Sequence, residues 1–193
     1  MIFELKLFLT DLFFAFSIFT LLFFIVSIFS KKAFLKNLDE EVSRFIVFTG
    51  IIYAVLLVVE IFINLNSSDQ EGRFSYYELI FGKYWVTFWI EPLVWILMTQ
   101  LLRFKKIRRN VFLRLLFSFI FILTIENIIS FYSLFNRDYL PSSWRIKSSL
   151  FIYPSNIFLE ILMKVFILLV LVGIFYTIDW KIKDWKISKI KSQ

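Results

Sequence analysis

Residues 5–29 read LKLFLTDLFFAFSIFTLLFFIVSIF, an apolar run interrupted only by Lys6, Thr10, Asp11, Ser17, Thr20 and Ser27. This run decides the fold. About 20 such residues, at 1.5 Å rise each, are enough to cross the hydrocarbon core of a bilayer as a helix. Acidic Glu4 stands where a secretory signal would carry positive charge, and Ser30-Lys31-Lys32 follows without a small-residue cleavage site. The run is therefore expected to stay in the protein as a helix.

Runs of the same kind recur at 45–64, 84–104, 111–135 and 157–178. Residues 1–193 thus read as a single membrane domain, an all-α integral membrane bundle of about five transmembrane helices. Composition agrees: 60% of the chain is hydrophobic, 19% is charged, and 27 residues are Phe. Soluble domains are about 45–50% apolar, and a chain of this size must still cover a large surface. Lipid is the solvent that suits the excess.

Lys and Arg in short loops set orientation. The loop after the first run holds Lys31, Lys32, Lys36 and Arg44. The loop before Val111 holds Arg103, Lys105, Lys106, Arg108 and Arg109, and the tail holds Lys181, Lys183, Lys186, Lys189 and Lys191. These outnumber Lys6, Arg73, Lys83, Arg137, Arg145 and Lys147 on the opposite side. The N-terminus is therefore expected outside and the C-terminus in the cytoplasm, which an odd number of spans allows. The net charge of +7 lies beside the spans, so it reads as membrane anchoring and not as a nucleic-acid surface. In the tail, Asp179-Trp180-Lys181-Ile182-Lys183-Asp184-Trp185-Lys186 mixes indole rings with ammonium groups, which suits the headgroup layer.

The chain has Cys 0 and His 0. Disulfides, iron–sulfur ligation, His-ligated haem and ordinary zinc sites are excluded, so no metal is held by its own ligands. Ser/His and Cys/His nucleophilic constellations are excluded too, and the chain is not expected to be catalytic alone. With 4 Gly, small-residue helix contacts should be scarce. Packing should then run through large Phe, Leu and Ile side chains, completed by bound lipids or other subunits.

The informative residues are the ionisable ones inside the runs: Asp11, Glu60, Glu91, Glu126, Glu160 and Lys164. Each charge at mid-membrane costs about 2.5–3.5 kcal/mol on insertion scales, so such residues face an interior, a cavity or a partner. Rise per residue puts Glu91 about 10 Å and Glu126 about 15 Å from the outer side. Glu60, Asp11 and Glu160 also belong to that half. Glu160 and Lys164 are four apart, so they share a helix face and can neutralise each other. Glu91 precedes Pro92, whose ring removes a helical hydrogen bond. Glu91, Glu126, Glu160 and Lys164 are the candidates for carrying protons or meeting a quinone head group. Interhelical hydrogen bonding by neutral acids is the competing reading.

Two stretches carry a family resemblance. The first is Tyr84-Trp85-Val86-Thr87-Phe88-Trp89, followed by Thr99-Gln100-Leu101-Leu102-Arg103-Phe104-Lys105-Lys106. The second is Glu126, then Arg137-Asp138-Tyr139-Leu140-Pro141-Ser142-Ser143-Trp144, then Tyr153-Pro154-Ser155. Together they resemble the polysulfide-reductase-type (NrfD-like) membrane subunits, especially the quinol-interacting subunits of bacterial alternative complex III. The resemblance covers roughly residues 76–160 and corresponds to the C-terminal half of the longer family chain. Asn136 stands where many members carry His, and Arg103 and Thr99 replace an aromatic residue and a Pro.

The resemblance implies a non-haem, multi-pass subunit of a quinone-linked respiratory electron-transfer complex in a bacterial cytoplasmic (inner) membrane. It would be a subunit of a quinol-oxidising oxidoreductase, with menaquinone or ubiquinone and lipids as contacts and other subunits of the complex as partners. Arg137, Asp138, Tyr139 and Trp144 would form an outer loop that docks those partners. The alternatives are a stand-alone membrane scaffold or accessory protein that has lost quinone chemistry, and a small transporter. The transporter ranks last, because the carboxylates do not continue to the cytoplasmic side and no inverted repeat is visible.

Overall fold

A computed structural model describes residues 2–29, 33–66, 70–82, 85–123, 153–154 and 156–191, without the side chains of residues 87, 157 and 186–191. The described residues form seven helices and no strand. They are α1 (Ile2–Phe29), α2 (Ala33–Leu65), α3 (Gln70–Phe81), α4 (Trp85–Leu101), α5 (Lys105–Arg109), α6 (Val111–Ile122) and α7 (Ile157–Lys191).

Three of them are long and apolar enough to cross a membrane: α1, α2 and the Phe158–Trp185 part of α7. At 1.5 Å per residue the 33 residues of α2 extend about 50 Å, well beyond a hydrocarbon core of about 30 Å. The surplus is its charged first third, so Lys36 and Arg44 lie within the helix and not in a loop. The charged tail likewise continues α7 without a break. α4 has 17 residues and α6 has 12. Residues 124–135 of the run predicted at 111–135 lie outside the described residues. Residues 70–81, read from sequence only as part of a connection, form α3, and Lys105–Arg109 form a helical turn.

The boundary between α5 and α6 has a local cause. Asn110 is extended (φ −81°, ψ 111°), and its side chain accepts a hydrogen bond from the Leu113 amide at 3.2 Å. This satisfies one of the donors that a helix start leaves open. Asn156 does the same for α7, accepting from the Phe158 amide at 2.9 Å.

α1 is the hub, packing against α2, α6 and α7, while α2 also meets α3, α4 and α7. Its central part, Leu9 to Thr20, is buried on nearly every side, and the shared core centres on Phe13. The Phe13 ring meets Tyr53 of α2 edge-on at 5.6 Å, Trp95 of α4 edge-on at 5.7 Å and Phe121 of α6 stacked at 5.5 Å. These are the offset and T-shaped arrangements that ring quadrupoles favour. Among the buried polar residues of the core, Ser17, Thr49 and Ser118 return their hydroxyl protons to the carbonyl one turn back.

Large side chains are not the whole of the packing. A Cβ placed on Gly50 of α2 would lie 2.1 Å from Thr99 Oγ1 of α4. The missing side chain lets these two helices approach closely, and Gln100 Nε2 reaches across to donate to the Val47 carbonyl at 3.2 Å. With 4 Gly such contacts were expected to be scarce, and this is one of them: a single glycine suffices where two backbones converge.

Candidate functional site: ion pairs at the two ends of the bundle

The fold draws ionisable side chains of different helices into two groups. The first joins α1 to the start of α7. Lys164 Nζ lies 2.7 Å from Glu160 Oε1 and 2.8 Å from Asp11 Oδ1. The side chains of Lys164 and Asp11 are 11% and 9% exposed. The ammonium also sits over the rings of Phe14, at 5.4 Å, and Tyr153, at 4.9 Å. Rings and carboxylates together replace the water that a buried cation loses. Tyr153 lies just before α7. Its burial first, and then the negative charge of Asp11, push its hydroxyl pKa well above the ordinary phenol value.

Chemically, this is one cation held by two carboxylates beside a phenol. Such a group binds hydrogen-bonding donors and acceptors and can exchange protons between close oxygens. The spacing of Glu160 and Lys164 anticipated their pairing. Asp11 was legible as an ionisable residue in a span, but its partner was not, because α1 and α7 are distant in sequence. A second bridge on α1 agrees with an antiparallel α1–α2 pair. Lys6, near the start of α1, meets Glu60, near the end of α2, at 2.5 Å.

The second group lies at the other end, where the charged first third of α2 meets α5 and α6. Arg114 is 3% exposed, and its guanidinium donates to Asp39 Oδ2 at 2.6 Å and to Thr20 Oγ1 at 3.2 Å. It lies within 5.3–5.9 Å of the ring centres of Phe16, Phe23 and Phe24. Arg108 donates to Glu40 at 2.7 Å, and Arg44 meets Glu41 at 2.9 Å and Glu40 at 3.5 Å. Sequence reasoning missed this group. The signal was available: three consecutive acids, Asp39-Glu40-Glu41, stand between two apolar runs, and Arg114 is a lone charge in an otherwise apolar helix. A delocalised guanidinium with planar donors and weak hydration is the cation best suited to that burial.

Glu91 is half-buried on α4 beside the buried Pro92, around which the helix continues. Glu126 and the loop residues Arg137, Asp138, Tyr139 and Trp144 lie outside the described residues. No protein-family model, curated protein or solved structure matches the chain.

Proposed function

We propose that the chain is a membrane-embedded helical subunit of a quinone-linked electron-transfer assembly. In this reading it spans the bilayer about five times, with the N-terminus outside and the Lys-rich end of α7 in the cytoplasm. It carries no redox centre of its own. It supplies helix packing, lipid and quinone contacts, and carboxylates on the outer side that take up or release protons.

The observation that carries this reading is the surface of α7. Only 11% of its most apolar stretch is buried, and Phe158, Leu162, Phe166 and Val170 are all exposed. An apolar face of this length needs lipid or a partner helix. Three arguments add support. The NrfD-like resemblance of residues 76–160 supplies the kind of assembly. The arrangement of charges fits the orientation, because Lys6–Glu60 and Asp11–Lys164–Glu160 lie towards one end and the Arg-rich group of α2, α5 and α6 towards the other. The outer group also offers close, partly buried oxygens of the type a quinol hydroxyl or its released proton would meet.

A stand-alone scaffold is the second reading, and one observation favours it. Lys164 is already neutralised by Asp11 and Glu160 within the chain, as a purely structural charge would be. Purification of the tagged protein in mild detergent, with mass spectrometry of partners and an optical spectrum, separates the two. Haem absorption with iron–sulfur or cytochrome subunits is the result expected for the electron-transfer assembly. Recovery alone, or with unrelated partners, assigns the scaffold.

A further inference from the structure

The Tyr53–Trp95 and Gly50–Thr99 contacts make α2 and α4 antiparallel, so the end of α2 and the start of α4 lie together, on the side of Lys6 and Glu60. α3 connects the two and packs on both. Its Tyr76 ring meets Phe88 edge-on at 5.9 Å, and the Ile80 carbonyl accepts from Trp89 Nε1 at 3.2 Å. Both partners fall within the first turns of α4, so α3 sits at the end of the bundle and outside the shared core. The other residues of α3 sort by direction. Spacings of three and four put Phe74, Tyr77 and Phe81 on one stripe, next to the Tyr76–Ile80 stripe that faces the bundle. Those three rings are 64%, 55% and 60% exposed, and the rings of Tyr77 and Phe81 lie 5.1 Å apart. Exposed Arg73 flanks the stripe on the bundle side. Glu71, Ser75 and Glu78 turn away from both stripes, with Leu79 the one apolar residue among them.

We propose that α3 is an interfacial helix that lies in the phospholipid headgroup layer, with Phe74, Tyr77 and Phe81 at the acyl boundary and Glu71, Ser75 and Glu78 in water. Position selects lipid as the occupant, because α3 is held where the apolar part of α2 stops and α4 begins. Chemistry agrees. Aromatic residues with a polar tip gather at this level of a bilayer, and exposed Trp85 starts α4 beside the same layer. Arg73 is long enough to return its guanidinium to the lipid phosphates, which accept from it. Area argues against a protein partner: three such rings offer roughly 300–400 Å², against about 800 Å² per partner in a standard protein interface. The proposal rests on the membrane-embedded reading alone and is independent of quinone chemistry.

The test exploits a chain with Cys 0. Full-length protein carrying one introduced cysteine is spin-labelled and reconstituted in phosphatidylcholine liposomes. Electron paramagnetic resonance then reads collisions with oxygen, which enters lipid, and with a nickel chelate, which stays in water. Labels at Phe74→Cys, Tyr77→Cys and Phe81→Cys are expected to favour oxygen, and those at Glu71→Cys, Ser75→Cys and Glu78→Cys the chelate. Chelate dominance at all six positions puts α3 in water and overturns the proposal. Shielding of the aromatic stripe from both reagents overturns it too, since a second copy of the chain then covers the stripe. Val58→Cys, exposed on the apolar part of α2, reads the membrane itself. Oxygen dominance there with chelate dominance at Phe74→Cys sinks only the interfacial helix, whereas chelate dominance at both sinks the membrane reading as well. If a labelled variant loses helicity by circular dichroism, a lipid-soluble carbene reagent on the unmodified protein decides. Insertion at Phe74, Tyr77 and Phe81 with Glu71 and Ser75 spared supports the helix in the headgroup layer, and the reverse overturns it.

Discussion

Lys164 Nζ lies 2.8 Å from Asp11 Oδ1, so one ion pair ties the first long helix to the last. The same ammonium holds Glu160 one turn away on its own helix. Neither carboxylate is expendable to the other, because removing the cation leaves two negative groups close together in a poorly hydrated place. The pair thus connects a local feature, the four-residue spacing, to the tertiary contact between α1 and α7.

Replacing Lys164 with Met should destabilise the protein by about 3 kcal/mol, the usual result of breaking a buried pair from one side. Asp11→Asn added to Lys164→Met should recover part of that loss, since a neutral amide needs no counter-charge. Unfolding in mixed micelles, followed by circular dichroism, gives both numbers. Strict additivity of the two substitutions would falsify the coupling.

Arg114 should tolerate Lys poorly. Its guanidinium reaches Asp39 and Thr20 at once and lies near three phenyl rings, which a compact ammonium on a flexible stem does not reproduce. Arg114→Met should cost about 3 kcal/mol, and the addition of Asp39→Asn should restore a share of it. Thermal unfolding of the three variants in detergent checks the order: wild type above the double variant, and the double above Arg114→Met. If Lys performs as well as Arg, the planar recognition is irrelevant to stability.

At Gly50 even one methyl group should be felt. Gly50→Ala places a Cβ against Thr99 and should destabilise by about 1–3 kcal/mol through overpacking. Thr99→Ala should relieve only part of this, because the Thr99 Cβ itself would lie 2.6 Å from the new atom. Chemical unfolding of single and double variants measures the relief. A neutral Gly50→Ala would mean that α2 and α4 separate at little cost.

Tyr153 gives a pH signature. Its folded pKa lies above its ordinary value of 10.0, chiefly through burial and then through Asp11. A raised folded pKa means that the protonated form stabilises the fold. That stabilisation is complete below pH 10 and is lost as pH rises towards the folded value. Tyr153→Phe should therefore flatten the alkaline fall in melting temperature above about pH 10. Melting curves of both proteins across that range decide it; parallel curves would remove Tyr153 from the account.

Much of the fold was legible before any tertiary contact was known. The run at 5–29 and its counterparts at 45–64 and 157–178 lie on helices long enough to span, because hydropathy and length are local properties. Helix boundaries were less legible. α2 begins at Ala33, well before its apolar part, since Lys36, Glu40, Glu41 and Arg44 are good helix formers that are merely too polar for lipid. Half of the group around Lys164 was readable too: Glu160 and Lys164 are neighbours on one helix face, whereas Asp11 and Tyr153 reach them only through folding.

Sequence by itself determined that the protein is helical and apolar, that it has no Cys or His to hold a metal, and that one local ion pair could form. Those properties depend on residue type and on spacings within a single turn. The tertiary structure alone decided that Asp11 shares Lys164, that Asp39 receives the buried Arg114, that Phe13 is the meeting point of Tyr53, Trp95 and Phe121, and that Gly50 admits Thr99. Each of these depends on how helices distant in the chain rotate and slide against one another. That register is set by packing and charge pairing across the whole bundle, and no window of sequence contains it.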